Sequence, residues 1–129
     1  MSSSTKIQLW IMMFFNFFIW GIWFVTLGTY LTMGKIGADG AQTGLAYGTQ
    51  CLGAIIAPFI IGMIADRFFA AQKIMGVFHI VGAGIMLSIT LITDNTIFYW
   101  VVLLYSLLYM PTIALSNSVA FSQMNDPGK

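Results

Sequence analysis

Glutamate is missing altogether from this sequence, and cysteine and histidine occur once each, at Cys51 and His79. Five basic and four acidic residues are the whole charged complement, 7% of the 129 residues. A soluble domain carries roughly 25%. One cysteine excludes an intrachain disulfide, and no Cys/His spacing suits a metal. A net charge of +1 leaves no basic patch for nucleic acid. No aspartate falls within an apolar stretch, and the lone histidine has no evident nucleophile or acid to work with. No catalytic residue and no cofactor is therefore indicated. A fold with so few charges would present an apolar surface, which excludes a soluble enzyme and calls for lipid as the solvent.

What the sequence does have is hydrophobicity: 59% of residues are hydrophobic and the mean hydropathy is +0.89. Crossing a bilayer core takes about 20 apolar residues. Four stretches qualify, near 9–31, 45–65, 74–92 and 97–121, and predict an all-α membrane protein of four transmembrane helices. The first is too long for a signal peptide and lacks a small-x-small cleavage site after it. Every charge lies between or beyond the stretches: Lys6, then Lys35 and Asp39, then Asp66, Arg67 and Lys73, then Asp94, and finally Asp126 and Lys129. That partition follows from the cost of placing a charge in hydrocarbon. A cytoplasmic N-terminus puts Lys6, Arg67, Lys73 and Lys129 inside and only Lys35 outside, as the positive-inside rule requires.

Short loops make successive helices antiparallel neighbours. Small residues let helices approach in lipid, and Gly44 with Gly48 form a GxxxG pair, continued by Gly53, Ala57, Gly82 and Gly84. Pro58 and Pro111 each remove a helical hydrogen bond and bend the chain, either as a fixed kink or as a flexing point. On the first helix Asn16, Trp20 and Trp23 share a face, with Tyr30 further along. The face is either an aromatic packing stripe or a surface on which a planar ligand stacks. On the fourth, Tyr105, Tyr109, Thr112 and Ser116 form a hydroxyl stripe, which must face protein or a water-filled cavity. Gln50, close to Tyr47, is a candidate ligand contact. His79 reads more simply as a neutral side chain near the cytoplasmic interface than as a proton carrier. Gly62, Asp66, Arg67 and Lys73 concentrate charge in a tight cytoplasmic turn, where a network could fix the second helix against the third.

That turn resembles the signature between the second and third helices of the major facilitator superfamily, which runs Gly-x-x-x-Asp-Arg/Lys-x-Gly-Arg-Lys. Gly62, Asp66 and Arg67 match, Phe69 and Ala70 depart from the later Gly-Arg, and Lys73 keeps a downstream base. The whole chain resembles the N-terminal part of the bacterial nucleoside:proton symporters. The resemblance rests on Trp20-Gly21-x-Trp23-x-x-Thr26-Leu27-Gly28-x-Tyr30, on Gly40-Ala41-x-x-Gly44-x-x-Tyr47, on Ala65-Asp66-Arg67, and on Tyr109-Met110-Pro111-Thr112-x-x-Leu115-x-Asn117. It implies twelve helices in two bundles, with substrate bound between them at the midplane. It also implies uptake of nucleosides with protons across the bacterial inner membrane. The first and fourth helices would line the cavity and the third would be peripheral. The charged turn would latch the inner gate.

Only four helices are present, and the carboxylates expected to handle protons would lie on later ones. The chain therefore reads as a partial carrier, inactive without its C-terminal helices. Other readings are a major facilitator carrier for a sugar or drug, a small four-helix exporter, or a membrane subunit acting as an oligomer. Small exporters of this length rely on a membrane-embedded glutamate, and here Asn16 stands in the first helix with no glutamate anywhere.

Overall fold

The computed structural model describes residues 2–65 and 70–124, with the backbone path alone for 62, 64 and 65. They form four helices: α1 (Ser3–Met33), α2 (Gly40–Ala65), α3 (Ala71–Ile89) and α4 (Asn95–Met124). All four are long and apolar enough to cross a membrane. At 31 and 30 residues, α1 and α4 exceed the thickness of a hydrocarbon core of about 30 Å, so they tilt or protrude.

Three of the helices start earlier than their apolar stretches because polar residues cap them. Asp39 Oδ1 accepts from the Gln42 amide at 2.8 Å, while Gln42 Oε1 accepts from the Asp39 amide at 3.0 Å. This reciprocal capping box starts α2 at Gly40. Asp94 Oδ1 accepts from the Ile97 amide at 2.9 Å and starts α4, and Ser2 Oγ accepts from the Thr5 amide at 3.1 Å and starts α1. Both aspartates thus sit at positive helix ends, where a carboxylate is stabilised. At its other end α3 stops at Ile89, before the apolar Leu91 and Ile92. Gly37, with φ of 59°, supplies the left-handed residue that turns α1 into α2.

α4 is the hub. It packs extensively against α2 and α3 and also touches α1. Phe98, Val102, Tyr105, Ser106, Tyr109, Thr112, Leu115 and Ser116 are all buried along it. α1 is the least covered helix and leaves Trp10, Phe14, Phe15, Phe18 and Val25 exposed, an outward-facing apolar surface suited to lipid or to further helices.

The close contact between α2 and α4 is made by a glycine other than those of the GxxxG pair. A Cβ added at Gly44 or Gly48 would meet nothing within 4 Å. One added at Gly53 would lie 2.7 Å from the Ser106 carbonyl oxygen and 2.9 Å from its carbon. Backbone meets backbone there, and one turn away Thr49 Oγ1 bonds Ser106 Oγ at 3.2 Å. Gly82 makes a lesser approach, with the Tyr105 ring 3.3 Å from its would-be Cβ. Gly53→Ala is therefore expected to push α2 off α4 and cost about 1–3 kcal/mol, the usual cost of overpacking. Gly48→Ala should be neutral or slightly stabilising. Denaturant unfolding in detergent measures both, and equal stabilities for the two variants would contradict the contact.

Candidate functional site

Besides the Thr49–Ser106 pair, buried polar side chains of the spans gather in two clusters between helices. The first joins α1 to α4 around Asn16, which is only 2% exposed. Asn16 Nδ2 donates to Ser116 Oγ at 3.2 Å and, more weakly, to the Thr112 carbonyl at 3.5 Å. Asn16 Oδ1 accepts from Thr112 Oγ1 at 3.1 Å, and the Tyr109 hydroxyl donates to the Asn16 backbone carbonyl. Thr112 Oγ1 also lies 2.6 Å from the Tyr109 carbonyl. Its single proton serves one of the two acceptors at a time.

Helical spacing produces this seam. Tyr109, Thr112 and Ser116 stand on one face of α4, and that face meets Asn16. Pro111 lies within the seam and, lacking an amide hydrogen, withdraws one bond from the α4 ladder. The hydroxyls of Thr112 and Ser116 are committed to α1 and to their own helix, so the stripe is an interhelical seam along this length.

The second cluster joins α1 to α2. Trp20 Nε1 donates to Gln50 Oε1 at 2.8 Å. The indole can only donate, so the amide oxygen must face it. The Gln50 nitrogen is then buried with no partner among the described residues, in a side chain 7% exposed. Phe24 lies beside Trp20, ring centroids 5.1 Å apart, and Tyr47 meets Phe24 edge-on at 5.0 Å. Trp20 and Phe24 remain half-buried.

Trp23 turns away from Trp20 and meets Tyr105 edge-on at 5.3 Å; its Nε1 is also buried without a partner among the described residues. Tyr105 stacks on Tyr109 at 5.8 Å, and Tyr109 meets His79 at 6.2 Å. The Tyr105, Tyr109 and His79 rings border a cavity of about 220 Å³ between α1, α3 and α4, lined also by Ile19, Phe78 and Gly82 among others. A ligand pocket typically measures about 300–1,000 Å³.

The expected face of Asn16, Trp20 and Trp23 is therefore divided. Asn16 belongs to the α4 seam, Trp20 to the α2 pair and Trp23 to the Tyr105 stack. Gln50, Tyr105, Tyr109 and Thr112 are buried. Of the charged turn, Asp66 and Arg67 lie outside the described residues, and only the backbone path is described at Gly62. Lys73 is exposed on the first turn of α3. Among the described residues no cluster of His, Cys, Asp and Glu could hold a metal ion. Sequence reasoning missed the Tyr30 hydroxyl bond to the Ile89 carbonyl (3.3 Å), the Thr49–Ser106 bond, and the engagement of Tyr47 with α1. Pairing across helices leaves no mark in spacing within one helix.

The fold is that of a major-facilitator-type membrane transporter. The crystal structure of the nucleoside transporter NupG superposes with a TM-score of 0.88 and 31% identity, over 95% of this chain and 30% of that one. The xanthosine permease of Escherichia coli K12 is 39% identical over 125 residues, 97% of this chain and 30% of the permease. The nucleoside permease NupG of the same strain is 31% identical over 125 residues, with the same coverage of 97% and 30%. Residues 3–129 match the family described as Nucleoside H+ symporter, and the chain belongs to that family. It spans about 30% of the length of these relatives.

The seam itself is testable in the membrane-embedded protein. Asn16→Ala should lower stability by about 1–3 kcal/mol, because buried partners on α4 lose their bonds. In a double-mutant cycle with Ser116→Ala the two losses should overlap by about 0.6 kcal/mol, a typical value for a hydrogen bond between membrane helices. Strictly additive losses in the unfolding free energies would mean that Asn16 and Ser116 do not bond.

Proposed function

We propose that this chain forms part of a proton-driven nucleoside uptake carrier of the bacterial inner membrane. Its N-terminus is cytoplasmic, and it works with further helices of the same carrier. Support comes from family membership, from relatives named for nucleoside and xanthosine transport, and from the charge distribution, which places Lys6, Arg67, Lys73 and Lys129 on one side against Lys35 on the other.

The observation that carries the reading is the Trp20–Gln50 pair. Trp20 offers a half-buried indole face for stacking a nucleobase. Gln50 holds that ring in place through Oε1 and keeps an unspent amide donor, which suits a base carbonyl or a ribose hydroxyl. Leaving a buried donor unmade costs about 1–3 kcal/mol, so an acceptor brought by the substrate would be favoured. Trp23, Tyr105 and Tyr109 form a separate aromatic stack between α1 and α4, kept as candidate cavity lining. Asn16 and Thr112 act one step further back, by fixing α1 to α4.

Proton coupling is assigned to the rest of the carrier. Asp39 and Asp94 are engaged as helix caps, and no carboxylate lies within a span of this chain. The Gly62, Asp66, Arg67 and Lys73 turn is assigned to the cytoplasmic gate, where its charges would latch α2 and α3 against the partner half.

Binding and uptake measured on the natural-length protein test the reading. Trp20→Ala should weaken nucleoside binding about tenfold or more, since stacking on an aromatic ring is worth about 1–3 kcal/mol per base. Trp20→Phe should retain part of that affinity, while Gln50→Leu loses selectivity among nucleosides. Unchanged affinity in all three would remove this pair from the substrate site, and uptake of sugars or drugs in place of nucleosides would overturn the substrate class. Asp66→Asn should slow uptake while sparing affinity; a normal rate would deny the turn its gating role.

A further inference from the structure

Two glycine- and tyrosine-bearing motifs that look unrelated along the chain meet at one point of α1. The Tyr47 hydroxyl donates to the Phe24 carbonyl at 2.9 Å and accepts from the Gly28 amide at 3.0 Å. Residues 24 and 28 are the two ends of one i→i−4 helical bond, so a side chain from α2 stands at a rung of the α1 ladder. A side chain inserted there is one of the few causes of a helix bend. Gly28 is what gives the hydroxyl room: a Cβ at that position would lie 3.1 Å from the Tyr47 oxygen.

The same stretch carries two further distortions. Thr26 Oγ1 bonds back to the Ile22 carbonyl at 2.7 Å, and Thr32 Oγ1 bonds back to the Gly28 carbonyl at 2.9 Å. Threonine back-bonding of this kind loosens and bends a helix. On either side α1 is held to a different element. Below, Asn16 ties it to α4; above, the Tyr30 hydroxyl ties it to the Ile89 carbonyl at the end of α3.

We propose that α1 hinges at Phe24–Gly28, with the Tyr47 hydroxyl as a removable pin. With the hydroxyl in place the rung is bridged and α1 is bent. With it withdrawn, the Gly28 amide bonds the Phe24 carbonyl directly and the helix straightens. Trp20 lies on the cytoplasmic side of the pin in the orientation assigned above, so withdrawal of Tyr47 also parts α1 from α2 beside Gln50. This use of the hinge rests on the transport reading; the pin itself does not. Tyr47 is thus a positioning residue, acting through α1.

Tyr47→Phe removes one oxygen and keeps the ring against Phe24. In the natural-length protein, labelled with ¹⁵N-glycine and held in nanodiscs, the Gly28 amide resonance should shift. Its hydrogen exchange rate should change by up to about tenfold as the amide trades the Tyr47 oxygen for the Phe24 carbonyl. The Gly82 amide should not move. Spin labels at the exposed Ile7 and Met33, with Cys51 replaced, should give a narrower distance distribution in Tyr47→Phe than in the parent. An unmoved Gly28 amide overturns the pin, and identical distributions overturn the hinge. In uptake assays Tyr47→Phe should lower the maximal rate severalfold with KM unchanged. Gly28→Ala should do the same, and the double variant should be no worse than either alone. Losses that multiply would mean the two residues act separately. If the parent protein takes up no nucleoside, the transport reading fails, while the amide and distance measurements still decide the pin and the hinge.

Discussion

A hydroxyl or an amide carried into hydrocarbon has no water to bond, so another helix must bond it. That constraint organises this molecule more than apolar attraction does, because lipid tails satisfy a leucine as well as a neighbouring helix would. The exposed Trp10, Phe14, Phe18 and Val25 of α1 need no partner for that reason. Asn16 does need one, and its amide fixes both the rotation of α1 and its depth against Thr112 and Ser116. The Thr49–Ser106 bond does the same for α2, and is made possible by the missing side chain at Gly53. α4 supplies the partners in both cases, which is why it is the most buried helix although its sequence is no more apolar than that of α1.

Seen this way, the hydroxyl stripe of α4 has two uses along its length. The hydroxyls of Ser106 and Thr112 are consumed in holding α2 and α1. Tyr105 and Tyr109 present stacked rings to a cavity shared with His79, while the Tyr109 hydroxyl also bonds the Asn16 carbonyl. Packing and lining are therefore not competing descriptions of one stripe. They apply to different groups on it, and Tyr109 serves both, its hydroxyl in the seam and its ring in the lining.

The number of helices and their membrane character were legible in the sequence because burying charge in lipid is expensive, and nine charges leave four long uncharged stretches. Their starts were not, because an apolar run does not register a polar first turn. Asp39 followed by Gln42 three residues later was a readable capping signal, and Asp94 another. Of the small residues the spacing named, Gly44 and Gly48 meet nothing of this chain within 4 Å, while Gly53 touches α4. A spacing rule says that two glycines share a face, but it cannot say what that face meets. The same limit explains the candidate site. Asn16, Trp20 and Trp23 were correctly placed on neighbouring turns. A helix of that width nevertheless delivers them to α4, to α2 and to Tyr105 separately. Tyr47 is the extreme case, since its partners are backbone atoms of another helix and no side-chain pattern records them.

The distribution of fixed and spare bonds then has a mechanical consequence. α4 is held on several sides by buried hydrogen bonds and by a backbone-to-backbone contact, so it cannot shift without breaking many interactions at once. α1 is held at Asn16 and at Tyr30, with a back-bonded, side-chain-bridged rung between them. A bend there disturbs one bridge while leaving both anchors intact, so motion is cheapest at that rung. Gln50 lies across from the same segment, joined to Trp20 and carrying a donor with no partner among the described residues. A bundle under the hydrocarbon constraint should not leave such a donor unmatched in every state it visits. In the proposed carrier its acceptor would come from a substrate arriving as α1 and α2 separate, which would couple occupancy of the site to the shape of the helix that forms it.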